Sequence, residues 1–165
     1  MKKILAPFII LMALIDSELR FQTAQLLNSV GANASTNVID SSQVRHIGNG
    51  KAMGVEFHID VAADNANADE TYAFIVEGSA DAAFSTPIEV ARRTFTHAEI
   101  ATKLQTGQSV NVPLPKEEHA TVIFYRTNVF TAGTTPSVTV TSELTPQDAI
   151  DAENRGGFPS ASLIS

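Results

Sequence analysis

The chain has 165 residues, with eleven basic and eighteen acidic side chains and a formal net charge of −7. That balance argues against a nucleic-acid partner, which requires clustered Lys and Arg to displace counterions from phosphates. Cysteine is absent, so disulfides, thiolate metal sites and cysteine nucleophiles are excluded. The same absence fits folding in a reducing cytosol but does not exclude secretion. The length fits one domain able to bury a sizeable core. No tryptophan and only two tyrosines leave little for the aromatic platforms of sugar- and peptide-binding sites.

In chain order, Met1–Ile15 (MKKILAPFIILMALI) pairs two lysines with an apolar run over Ile4–Ile15. The run is shorter than the roughly 20 residues that a membrane-spanning helix needs, so no membrane partner is expected. Three readings stand: a secretory signal with a poor cleavage site, an extension upstream of a start at Met12, or an apolar arm. Asp16–Ala34 is ambiguous; a short helix is expected over Thr23–Asn28, ending near Gly31, with Asn33–Ser35 as loop. Ser35–Asp40 suits a short strand, and Gly48-Asn49-Gly50 a turn.

The clearest pattern is Ala52–Val61, where Met53, Val55, Phe57, Ile59 and Val61 alternate with Gly54, Glu56, His58 and Asp60. Period-two alternation predicts a strand with one buried and one wet face. Thr71–Ser79 repeats it through Tyr72, Phe74 and Val76, and Ala62–Glu70 reads as the hairpin loop between them. Ser79–Pro87 is a loop carrying Phe84, and Ile88–Phe95 is another strand. Thr96–Leu104 predicts a short helix, with Glu99 in the capping-box position, Ile100 and Leu104 on one face and Gly107 as the stop. Ser109–Leu114 alternates again, but Pro113 and Pro115 confine it to a sheet edge or end it. Ala120–Val129 and Ser137–Thr145 are strands joined through the turn Thr131–Pro136. Pro146–Ser165 reads as an extended tail, with at most one helical turn over Gln147–Glu153.

About seven or eight short strands joined by turns predict an all-β fold, a single-domain, jelly-roll-like antiparallel β-sandwich. It is expected to span residues 35–145, between an N-terminal extension, 1–34, and a C-terminal tail, 146–165.

Chemistry is harder to find. Asp60, Asp64, Asp69 and Glu70 crowd one loop, but the EF-hand spacing fails at Ala66, and local hydrogen bonding accounts for such residues. His46, His58, His97 and His119 lack a ligand-like spacing and read as surface residues, with His58 on the wet face of its strand. Gly48-Asn49-Gly50-Lys51 lacks the spacing and the following helix of a phosphate loop. No serine sits in a nucleophile elbow. No catalytic, metal-binding or cofactor-binding residue is therefore assigned.

Several segments in order are similar to capsid cement (decoration) proteins of tailed bacteriophages. They are MALIDSELRF (Met12–Phe21), STNVID (Ser35–Asp40), HIGNGKAMGVEFHI (His46–Ile59), GSADAAFSTPIEV (Gly78–Val90), VPLPKEEHATVIFYRTN (Val112–Asn128) and FTAGTTPSVTV (Phe130–Val140). The resemblance runs, with gaps, from about Met12 to Leu144 and rests on the order and spacing of the segments. It implies a structural virion protein, made in the host cytoplasm, that binds the outer surface of an assembled icosahedral head. Its partners would be the major capsid protein and further copies of itself, with no catalytic residues. A dimer is expected from the frequency of two-fold symmetry, and a trimer is the alternative. Edge-strand pairing is one route to such contacts. The family pattern favours Met1–Leu11 as an upstream extension, and the tail looks longer than usual. The competing reading is a secreted β-sandwich adhesion or ligand-binding module using Met1–Ile15 as a signal. A hydrolase has only the fold in its favour.

Overall fold

The apolar alternation through Met53–Val61 does produce a strand, and the partners it takes organise the whole molecule. The computed structural model describes residues 19–41, 52–115 and 121–146. Its elements are β1 (Arg20–Leu27), β2 (Gly31–Ala34), β3 (Ile39–Asp40), β4 (Met53–Val61), β5 (Thr71–Ser79), β6 (Ile88–Phe95), α1 (His97–Lys103), β7 (Ser109–Pro113), β8 (Phe124–Ala132) and β9 (Val138–Pro146). The apolar N-terminal run, residues 147–165 of the expected tail and Gly48–Lys51, where a turn was expected, lie outside the described residues.

Two antiparallel sheets result, one ordered β1-β9-β4-β7 and the other β2-β8-β5-β6, with β3 also pairing β8. Position by position, the two orders pair β1 with β2, β9 with β8, β4 with β5 and β7 with β6. Each pair is consecutive in the chain and is split between the layers. This is jelly-roll connectivity, two Greek keys wound into a sandwich.

The expected hairpin between β4 and β5 is therefore corrected to a crossover between layers. β4 pairs β7 and β9, whereas β5 pairs β6 and β8. Alternation reveals which face of a strand is buried; it does not reveal which strand lies beside it. The two apolar rows meet across the core, with the Phe57 and Phe74 rings 5.1 Å apart and nearly edge-on. Phe74 makes a second edge-to-face contact with Phe95 at 5.7 Å. All three rings are buried, with Tyr72, Val55, Ile59, Val110, Val112 and Val140 around them.

The helix expected at Thr23–Asn28 is absent. That segment is the end of β1, and Gly31–Ala34, read partly as loop, is β2. Pairing with β9 and β8 brings both strands into the sandwich, which thus begins at Arg20 and not at residue 35. Two register shifts in β1, with Ala24 at φ 44°, break the alternation that would have identified a strand. Phe21 and Leu27 are nevertheless fully buried. Only Ile39–Asp40 of the strand expected at Ser35–Asp40 is extended and paired. Val61, expected to face inward, is 57% exposed because a bulge between Ile59 and Val61 turns it to the outer face.

α1 forms where its capping residues lie. The Glu99 carboxylate accepts the Thr96 backbone N–H at 3.1 Å and the hydroxyl at 3.0 Å, which holds its carboxyl below the usual range. Ile100 and Leu104 are fully buried beneath it, and Gly107 leaves at φ 84°. β7 lies at an edge, where Pro113 costs no ladder bond on its outer side.

Since Phe74 bridges the other two rings, Phe74→Ala should destabilise the fold by about 3–5 kcal/mol in urea unfolding. A loss below about 1 kcal/mol would show that the core does not depend on this contact.

Candidate functional site

Of the residues singled out in the sequence, Asp64, Asp69 and Glu70 lie together at one end of the sandwich. There the crossover 62–70 and the turn 133–137 are joined by side chains that lie far apart in the chain. Asp69 accepts the Thr134 N–H at 3.2 Å and its hydroxyl at 2.9 Å, while Asn67 donates to the Thr134 carbonyl at 3.3 Å. Asp64 donates its backbone N–H to the Ser137 carbonyl at 2.8 Å, and its carboxylate accepts from Ala66 at 3.1 Å. Between the two loops stands the fully buried ring of Tyr72. Its hydroxyl shares a proton between the carbonyls of Asp64 (3.2 Å) and Ser137 (3.1 Å), and accepts the Ser137 N–H at 3.1 Å. Burial pushes this phenol up to about 12.

Glu70 is the fourth carboxylate of the expected loop cluster, and it is wholly buried. One oxygen accepts the Asn67 N–H at 3.0 Å; the other lies 3.6 Å from Nδ1 of His97. Asp60 instead points from the outer face of β4, where it accepts the Thr141 hydroxyl at 2.8 Å. Thr141 in turn accepts the Ala24 N–H at 2.9 Å, and Nε2 of His58 lies 4.0 Å from Asp60. The four carboxylates are thus engaged separately, each with local partners. Among the described residues no group of three or more His, Cys, Asp or Glu comes together to hold a metal ion. His58 is exposed on the wet face as expected, whereas His97 starts α1 beside Glu70. His46, His119 and Gly48–Lys51 lie outside the described residues.

On the outer face of the second sheet, Arg126 donates to Glu77 at 2.7 Å and its guanidinium lies 4.3 Å from the centre of the Phe84 ring. Asn128 donates to the other Glu77 oxygen at 3.1 Å. Arg92 grips Glu89 at 2.6 Å, and this bond holds the Glu89 carboxyl below its usual range. The Arg92–Glu89 pair stands on β6, a sheet edge with a bulge opposite Val76 and Glu77.

The other edges are also blunted. β1 carries two irregularities, β2 has four residues, β3 has two, and β7 has five and ends at Pro113. Short, bulged or charged edges resist addition of a further strand. This geometry leaves the faces and the loop ends as the better surfaces for a partner.

Exposed apolar side chains provide a second surface feature, one the sequence pattern did not reveal. Leu26 and Val61 are 59% and 57% exposed and flank Thr139, with which both are in register. Val30 (66%) and Phe130 (45%) lie near the same end. Leu26 was hidden by the irregularities of β1 and Val61 by its bulge, so no periodicity signalled either. Among the described residues no helix is long and apolar enough to cross a membrane. No protein-family model matches the chain, and no curated protein matches it.

Two measurements test this end of the molecule. Gly133 has φ 110°, and a Cβ there would lie 2.7 Å from the Glu70 Cα, whereas Gly31 has φ 102° and open space around it. Gly133→Ala should therefore cost roughly 1–3 kcal/mol more than Gly31→Ala, and equal losses would remove the steric explanation. For Tyr72, the raised value means that stability is intact below the ordinary tyrosine range and lost as pH rises towards about 12. Phenolate absorbance should show Tyr72 ionising about two units above a free tyrosine, with Tyr72→Phe removing that phase.

Proposed function

We propose that this chain is a capsid cement protein, bound to the outer surface of the assembled head of a tailed bacteriophage. The observation that carries the proposal is the ordered series of segments between Met12 and Leu144 that resembles that family. The jelly-roll connectivity agrees with the fold that the resemblance implies. Blunted edges suit a protein present in many copies on one particle, because they discourage uncontrolled strand addition. An acidic chain whose Lys and Arg are scattered along the sequence suits the outside of a shell, away from packaged nucleic acid.

The physical action is linkage. A protein that binds only the closed lattice stabilises that lattice in proportion to its occupancy and affinity. A modest term at each site becomes large when repeated around a shell. The partners are the major capsid protein and further copies of the chain, with a dimer as the first expectation. The chain contributes contacts and shape, without a catalytic step.

Co-sedimentation of the purified full chain with mature, undecorated heads tests this directly. Saturable binding at a fixed ratio to the major capsid protein is expected, together with resistance of the heads to heat or chelation. Failure to bind intact mature heads would overturn the proposal.

A further inference from the structure

Leu26, Thr139 and Val61 form one row across three neighbouring strands on the outer face of the four-stranded sheet. The two apolar side chains are more than half exposed, and so is Val30 in the adjoining link 28–30. Apolar side chains gathered on one surface, unlike scattered ones, mark a place where something docks.

The charges around this row are mostly negative. Asp60 stands beside it on β4. The loops of this end, 28–30, 62–70, 96–108 and 133–137, carry Asp64, Asp69 and Glu99 outside the core, against one lysine, Lys103, and no arginine. A complementary occupant is therefore both apolar and basic. A second copy of the chain, with its net charge of −7, is repelled here.

One stretch of the sequence has the required composition. Met1–Ile15 combines Lys2 and Lys3 with the apolar run Ile4–Ile15 and has no acidic residue. The other terminal segment, 147–165, carries Asp148, Asp151 and Glu153 against Arg155, so charge decides between the two. Both segments join the sandwich at the same end, because Arg20 at the start of β1 pairs with Glu143 near the end of β9. From Arg20, Leu26 lies about 20 Å along β1. Ile4–Ile15 measures about 18 Å as a helix and about 40 Å fully extended, so it covers most or all of that distance in either form. Asp16 and Ser17 are residue types suited to the reversal that this path requires.

We propose that the Leu26–Thr139–Val61 row is the docking surface for the chain's own N-terminal run, Ile4–Ile15, folded back over the four-stranded sheet. Apolar side chains of the run cover Leu26 and Val61, while Lys2 and Lys3 meet the carboxylates at the crossover end. Of the three readings of Met1–Ile15, this one selects the arm. It stands independently of the proposed function.

Because the chain has no cysteine, one introduced thiol reports on one place. The test is maleimide labelling of Val61→Cys in the full chain, with and without Ile9→Asp and Leu11→Asp in the run. Val61→Cys should react about tenfold more slowly with the natural run than with the two aspartates, which corresponds to a surface covered about nine-tenths of the time. Ile88→Cys, at the exposed start of β6 in the other sheet, should react equally in both backgrounds. Equal rates at Val61→Cys would overturn the proposal, and so would a difference of the same size at Ile88→Cys, since the run would then act on the whole fold. Protection that grows with protein concentration would also overturn it, because the occupant would then be supplied by a second copy. Lys2→Glu together with Lys3→Glu should weaken the protection severalfold at low salt; unchanged protection would overturn the choice of this run by its charge.

Discussion

The crossover from β4 to β5 is the constraint on which the rest of the sandwich depends. Had these strands paired, their apolar rows would have shared one face of one sheet. Splitting them between layers instead sets Phe57 against Phe74 and makes the interior common to both sheets. A nine-residue connection must then run over the end of the core with its polar groups satisfied. Tyr72, Asp69 and Asn67 provide those bonds, and they do so by holding the turn that joins β8 to β9. One layer crossing is thereby stabilised by another. The hydroxyl of Tyr72 is polar enough to bind both loops, and its ring is apolar enough to lie in the core.

How much of this was legible in the sequence depended on whether the information was local. The wet and dry faces of Met53–Ile59 follow from alternation alone, as does the burial of Tyr72, Phe74 and Val76. The capping of α1 by Thr96 and Glu99 was equally visible, because every atom involved lies within four residues. Strand partners were not visible, since pairing is a relation between distant residues. β1 was lost for a different reason: its bulges place Thr23, Ala24 and Gln25 out of phase, and an irregular strand resembles no regular element. At the loop end, the crowding of acidic residues was apparent in the sequence. Their separate roles became clear only when Thr134, Thr141 and His97 were brought beside them.

The surface is managed by the same irregularities that obscured the sequence. The bulge in β6 accompanies a salt-bridged edge, and the bulge in β4 turns Val61 outward. Each departs from ideal strand geometry and changes what the molecule presents to a neighbour. In the interior, by contrast, a buried side-chain hydroxyl contact between Thr127 and Ser142 at 3.1 Å links the two sheets. Apolar side chains tolerate small slips, but a hydroxyl pair is satisfied only when the layers are aligned.

The antiparallel pairing of β1 with β9 also has a temporal side. β9 is the last described strand to leave a ribosome and β1 the first, so the four-stranded sheet lacks its second member until synthesis has passed Pro146. Until then β1 and β4 stand on either side of a missing neighbour, while β5 and β6 can already pair in the other layer. Closing so many sequence-distant contacts at once belongs to the slow end of single-domain folding. A nascent chain of this topology therefore spends its vulnerable interval with one sheet half assembled, and a late truncation removes the strand that joins that sheet together.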